Sequence, residues 1–388
     1  MGNTDTTIAR YRLDSARDAW GEVLETPFIK SLFVFFLLTC CLVSRALAEP
    51  DSAKDDGVES QAQAEERSPW LWVPIVSSNP KVGTSAGGLA SYLFKLDSKS
   101  TSSMAGVGGT YSTTDSYMVS AFLRSYWDHD QKRLVVFGGT GAINNDYEDF
   151  LGSGQQVQTT DDLRVLFARY LQQVKGNWFA GLQATYTNYL IYAEDGNVND
   201  ILATLGLTGF DSVAVGLVGL LDTRDNQNTP TSGVRFIVHN FAYREGLGGE
   251  EDFDVYNLQF SHYLAQENGN VLAYRIEGRW TSDASPGGYS SVNLRGYTRG
   301  QYLEPNATLA EVEQRMAITK RWGWHGFAGV ACLYGDGAKC SDSENVYPSI
   351  GLGGQYLLNQ AEQMSLSFDV ALGKSGNNGF YMRFGQAF

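Results

Sequence analysis

Trp178-Phe-Ala-Gly-Leu-Gln-Ala-Thr-Tyr-Thr187 alternates with a period of two. Trp178, Ala180, Leu182, Ala184 and Tyr186 fall on one face, and Gly181, Gln183, Thr185 and Thr187 on the other. Successive side chains of an extended chain point to opposite sides, so this stretch reads as a strand with one apolar and one polar face. About ten residues is also the length a tilted strand needs to cross a bilayer. The pattern recurs. Tyr256, Leu258, Phe260 and Leu264 oppose Asn257, Gln259 and Ser261, and Leu272, Tyr274, Ile276 and Trp280 oppose Arg275, Glu277, Arg279 and Thr281. Met364, Leu366, Phe368, Val370 and Leu372 oppose Ser365, Ser367, Asp369 and Ala371.

Composition narrows the classes. The 388 residues include 43 acidic and 29 basic side chains, a formal net charge of −14. No basic face is on offer to phosphate backbones, so nucleic acid is not an expected partner. Four histidines and four cysteines, without ligand spacing, give no metal site, and no cofactor is expected. His129, His239, His262 and His325 are scattered, and no serine sits in a Gly-x-Ser-x-Gly elbow. The chain is expected not to be an enzyme, although a hydrolase assembled from distant residues stays open on spacing alone.

Leu32 to Val43 is an apolar run between Lys30 and a small-residue site at Ala46 and Ala48, so residues 1–48 read as a signal peptide cut after Ala48. Its leading segment is long and acidic, and a single-pass anchor is the alternative. Residues 49–67 are charged and nearly without aliphatic side chains, the composition of a disordered periplasmic leader. The ordered part is then 68–388. Cys332 and Cys340 remain after cleavage, either as a disulfide or as two free thiols.

A soluble sandwich would alternate too. Aromatics at strand ends (Trp178, Tyr189, Tyr192, Tyr243, Trp280, Trp322, Trp324) and a last strand with Phe380, Met382, Phe384 and Phe388 on one face favour a membrane barrel. Phe384 and Phe388 read as the terminal-strand signal for barrel assembly. Closure is the arrangement that lets a sheet span lipid, since it leaves no unpaired edge. Strands counted back from the C-terminus run from 380–388 to 85–96, one of them at 198–208, and number about sixteen, an even count as bacterial barrels have. The expected fold is all-β, a 16-stranded antiparallel transmembrane β-barrel. Alternation turns Arg275, Glu277, Arg279, Glu311, Glu313, Arg315, Asp369 and Arg383 into the lumen.

Asn293-Leu-Arg-Gly-Tyr297, in the long connection 283–308, resembles the Arg-Gly-aromatic loop motif of the BamA/TamA barrel superfamily, the bacterial surface antigens. Leu221-Asp-Thr-Arg-Asp-Asn226, with Pro230, Thr231 and Gly233, is similar to that superfamily's strand–turn–strand signature. Tyr347 to Gly353 and Gly379 to Phe388 look like its final strands. The resemblance implies that the loop folds back into the lumen and that Arg295 pairs with an acidic wall. Asp369, Glu313 and Glu311 are the favoured partners, ahead of Asp342 and Glu344. Gly296 permits a tight turn and Tyr297 packs on the wall. Asp222, Arg224, Asp225, Pro230 and Gly233 are expected to pin a turn.

Two functions follow. One is assembly or translocation of polypeptides at the outer membrane of a Gram-negative bacterium, with clients added at a weak seam between the first and last strands. The other is a non-translocating barrel: structural, lipid-interacting or a small-solute pore. The short leader leaves no room for the client-collecting periplasmic domains typical of the superfamily, which weighs toward the second unless a separate protein supplies them; the motif set ranks the first function ahead. Expected partners are outer-membrane lipid and lipopolysaccharide, the machinery that inserts the barrel, and unfolded outer-membrane polypeptides.

Overall fold

The computed structural model describes residues 68–79, 82–147, 156–192, 202, 209–360, 362–386 and 388. The proposed signal and leader, 1–48 and 49–67, lie outside them.

Sixteen strands form a closed antiparallel barrel: β1 (Trp70–Asn79), β2 (Gly83–Phe94), β3 (Ser103–Ser112), β4 (Tyr117–Trp127), β5 (Lys132–Tyr147), β6 (Val157–Lys175), β7 (Trp178–Tyr192), β8 (Gly209–Asp222), β9 (Gly233–Tyr243), β10 (Phe253–Ala265), β11 (Val271–Ser282), β12 (Asn306–Ala317), β13 (Trp322–Tyr334), β14 (Val346–Asn359), β15 (Met364–Gly373) and β16 (Asn378–Phe384). Each pairs with its sequence neighbours, and β1 pairs with β16. We call the mouth where β1 begins and β16 ends the terminal end, and the other the loop end.

The decisive alternation lies on β7: Leu182 is 63% exposed on the outside, and Gln183 is buried on the inside. Outward aromatics cluster at both mouths. Trp70, Trp72, Tyr92, Tyr170, Trp178, Trp322 and Trp324 ring the terminal end, and Tyr111, Tyr117 and Tyr256 the loop end. These are the interfacial girdles that amphipathic rings form where hydrocarbon meets water.

The count is sixteen, but its membership differs from the sequence reading. β7 pairs directly with β8 from Trp178↔Leu221 to Leu190↔Gly209, so the described wall counts no strand from the expected 198–208. Except for Leu202, that segment lies outside the described residues. Its place in the count goes to β1. Trp70-Leu-Trp-Val-Pro-Ile-Val76 is apolar on both faces and contains Pro74, features that hide a strand from a period-two search. The reading of 380–388 as one strand also fails at its end. Gly385 has φ +90° and turns the chain inward. Phe388 therefore leaves the outer face shared by Phe380, Met382 and Phe384, and packs in the lumen against Tyr263, Val271 and Ala273. Tyr243, expected in a girdle, also faces inward and stacks on Phe253 at 4.2 Å.

Candidate functional site

The charged wall follows from alternation on adjacent strands. Register sets Arg275 of β11 opposite Glu311 of β12, and Arg315 of β12 opposite His325 of β13. Glycines make the bonds between more distant strands possible. His325 Nε2 and Asp369 Oδ1 approach to 2.6 Å although β14 lies between β13 and β15. The residue beneath that contact is Gly353, where a Cβ would stand 2.5 Å from both atoms. Gly351 likewise clears space for Phe327, whose ring would lie 2.2 Å from a Cβ there.

Onto this wall the connection between β11 and β12 folds back from the loop end. Arg295, 4% exposed, donates from Nε to Glu311 Oε1 at 2.8 Å and from Nη2 to the same oxygen at 2.5 Å. Its Nη1 lies 2.7 Å from Glu313 Oε2 and 3.3 Å from Asp369 Oδ2. The guanidinium carbon lies over the Phe327 ring, 3.3 Å from its centroid. All three favoured carboxylates thus meet one guanidinium: Glu311 and Asp369 accept its hydrogen bonds, and Glu313 faces it as an ion pair. Arg275 also binds Glu311 and Glu277, Arg315 binds Glu313, and Arg383 binds Asp369. Four guanidiniums and four carboxylates form one balanced network, which is what buried charge requires.

Backbone contacts seat the loop. Gly296 has φ +94°, a left-handed conformation that side-chain-bearing residues rarely adopt. Its N–H donates to Tyr381 Oη of β16 at 3.0 Å, and Ser349 Oγ donates to the Arg295 carbonyl at 2.5 Å. Tyr297 donates to the Pro348 carbonyl at 2.6 Å and accepts from the Lys374 N–H at 2.8 Å. Its ring lies over Gly373, where a Cβ would meet it at 2.6 Å. Around it Tyr302, Tyr347, Val292, Leu294 and Leu333 form an apolar cluster inside the loop end. Asp342 and Glu344 are exposed and stand apart from Arg295. Cys332 and Cys340 are joined by a disulfide beside this loop. Tyr289 hydrogen-bonds Asp336 across the two loops, and that bond to the carboxylate pushes the phenol up to about 12.

The second sequence motif closes the other mouth. Asp222 accepts from Arg133 at 2.6 Å and from Arg224 at 2.8 Å. Gly233, φ +100°, approaches Thr223 so closely that a Cβ would lie 2.3 Å from its carbonyl oxygen. Between them, Asp225 accepts from the N–H groups of Asn226, Thr231 and Ser232 and from Thr231 Oγ1. The turn so fixed reaches across the lumen. Asn228 takes a hydrogen bond from Arg124 on β4 at 2.5 Å and donates to the Glu362 carbonyl, beyond β14, at 2.8 Å. Arg315 donates to the Pro230 carbonyl at 3.2 Å. The motif is therefore a crossbar over the terminal mouth as well as a pinned turn.

Two expectations attach to this crossbar. Asp222→Asn leaves two guanidiniums with one neutral acceptor and is expected to cost about 3 kcal/mol, read as a lower melting temperature of the purified barrel. Burial works against the charge of Asp225, but the bonds from Thr231, Ser232 and Asn226 outweigh it and hold its carboxyl below the usual range. With the folded value depressed, the tie contributes fully above about pH 4 and is lost as pH falls through the lowered value. A fluorophore on Gln227→Cys should report release of the crossbar in acid and no change from about pH 5 to 8.

Sequence reasoning missed Phe327, His325, Tyr381 and Arg133. Parity along β13 would have turned His325 and Phe327 inward. Nothing local marks Arg133, because its partner Asp222 is three strands away.

The architecture is that of an outer-membrane β-barrel, with one loop docked inside and one turn across the mouth. The chain is similar in fold to BamA from Haemophilus ducreyi lacking POTRA domains 1–3, at 14% identity and a TM-score of 0.52, over 82% of this chain and 70% of that one. It is similar to CdiB from Escherichia coli at 13% identity and a TM-score of 0.52, over 83% and 63% of the two chains. For CdiB from Acinetobacter baumannii the values are 11%, 0.51, 81% and 59%. The chain thus spans less than two thirds of either CdiB. No protein-family model and no curated protein sequence matches it. The likeness is one of fold.

Proposed function

We propose that this barrel serves the outer membrane of a Gram-negative bacterium in assembling or translocating polypeptides, using the junction of β1 and β16 as its working edge. The observation that supports this reading is the junction itself. Among the described residues β1 and β16 share two register pairs, Ser77↔Tyr381 and Ser78↔Phe380, whereas β1 and β2 share ten, from Trp70↔Tyr92 to Asn79↔Gly83. Pro74 lacks an N–H, and Gly385 turns the chain inward where β16 would otherwise continue along β1. An unsatisfied edge is a template on which a client strand can pair. The fold shared with BamA and CdiB accords with such a role.

The non-translocating reading draws support from the occluded lumen, with the Arg295 loop inside and the crossbar across the terminal mouth. That occlusion speaks against an open solute pore. Lipid, lipopolysaccharide and the insertion machinery remain proposed partners. The test is photo-crosslinking in living cells from probes at Phe380, Met382 and Phe384. Capture of unfolded outer-membrane polypeptides supports client handling. Adducts to lipid or to β1 alone would mean a closed wall and end the assembly reading.

A further inference from the structure

The side of the lumen away from the Arg295 loop is unbalanced in charge. On β4 to β8 one row of inward residues runs in register as Arg124, Val135, Arg169, Gln183 and Gly216. Arg133 lies one inward position toward the terminal end, and Arg235 faces inward on β9 opposite Asp222. With Arg224 there are five guanidiniums; Asp222 holds two of them, Glu277 stands beyond Gln259 from Arg235, and Asp161 is buried on the inner face of β6 toward the loop end, which leaves the cations in excess. The other three have neutral partners among the described residues. Arg124 donates to Asn228 Oδ1 and leaves its Nε unpaired, Arg169 donates twice to Gln183 Oε1, and Arg235 donates to Gln259 Oε1. All three are half-buried, so their charges meet the space inside the barrel.

The next inward row toward the loop end is aromatic. Phe122, Phe137 and Phe167 are register neighbours on β4, β5 and β6, and Phe241 of β9 packs against Phe167 with centroids 6.4 Å apart. One row further, Gly108, Ser120 and Gly139 carry almost no side chain, and the Phe137 ring leans to within 3.4 Å of where a Cβ on Gly139 would stand. A guanidinium cannot shed its proton, so uncompensated arginines in a confined space call for an anion. The planar fork suits phosphate oxygens, and the phenylalanine row suits an apolar body attached to them.

We propose that the β4–β9 side of the lumen binds a phosphate group, held by Arg124, Arg169 and Arg235, with an attached apolar chain lying on the phenylalanine row. The chain as a whole is strongly acidic, so this attraction belongs to the chamber and not to the net charge. The proposal does not depend on client handling at the β1–β16 junction.

The test is calorimetric titration of the full barrel in neutral detergent with inorganic phosphate and with decyl phosphate below its micellar concentration. Saturable binding is expected, about tenfold weaker in Arg169→Gln and in Arg235→Gln, and unchanged in Arg164→Gln, which removes an outward guanidinium. Migration on an unboiled gel identifies variants that fold, and Arg124→Gln replaces either one that does not. Tighter binding of decyl phosphate is expected and would assign the site to a lipid-like phosphate; equal binding of the two would overturn the apolar part of the proposal and leave a site for the free anion. Absence of saturable binding, or binding that none of the inward substitutions weakens, would overturn the proposal.

Discussion

Arg295→Ala is expected to strip the folded barrel of much of its heat resistance, with the transition on an unboiled gel falling by roughly 10 °C. The substitution leaves Glu311, Glu313 and Asp369 together in a water-poor lumen, without the charge that holds them. Glu311 keeps Arg275, Glu313 keeps Arg315, and Asp369 keeps Arg383 and His325. The loss is therefore about 3–5 kcal/mol, the range for breaking a buried pair, and not the full cost of three bare carboxylates. Arg295→Lys should recover little. One ammonium cannot bond Glu311 along one edge, reach Glu313 and Asp369 with another nitrogen, and sit over the Phe327 ring at once. An unchanged transition in the alanine variant would mean that the loop does not dock.

Gly353→Val is expected to do at least as much damage from a residue that carries no charge. Its Cβ would stand 2.5 Å from Asp369 Oδ1 and His325 Nε2, and 2.4 Å from the Phe368 carbonyl oxygen. Moving the Asp369 carboxylate disturbs Arg295 and Arg383 together, because both share it. The paired control is Gly354→Val, one residue along on the outer face, where the nearest neighbour to a Cβ is 3.8 Å away. The first variant should fail to give the heat-modifiable folded band, and the second should give it normally. Equal yields from the two would show that the contact over Gly353 is dispensable.

Much of this was legible because alternation fixes which side chains face inward. Once β12 and β15 were recognised, Glu311, Glu313 and Asp369 had to share the lumen with Arg275 and Arg315. That the loop enters the lumen came from resemblance, not from periodicity. Pattern failed where the chain departs from alternation. β1 is apolar on both faces, and the tail beyond Gly385 keeps the spacing of β16 while leaving its plane. Contacts across the barrel were illegible for another reason. Asn228 with Arg124 and Glu362 joins residues more than a hundred positions apart, and no local signal encodes that distance.

The two-pair junction of β1 and β16 also bears on the order of folding. Every other neighbouring pair in the wall joins strands consecutive in sequence, so each can form as a hairpin at small cost in loop entropy. Joining Ser77 to Tyr381 closes a loop of about three hundred residues for two register pairs. Closure is thus the slowest and least rewarded contact, and it should come last. Tyr381, which makes one of those pairs, also accepts the Gly296 N–H. Seating of the Arg295 loop would then position β16 before the ring is complete, and a barrel whose loop cannot seat should accumulate as an open, curled sheet.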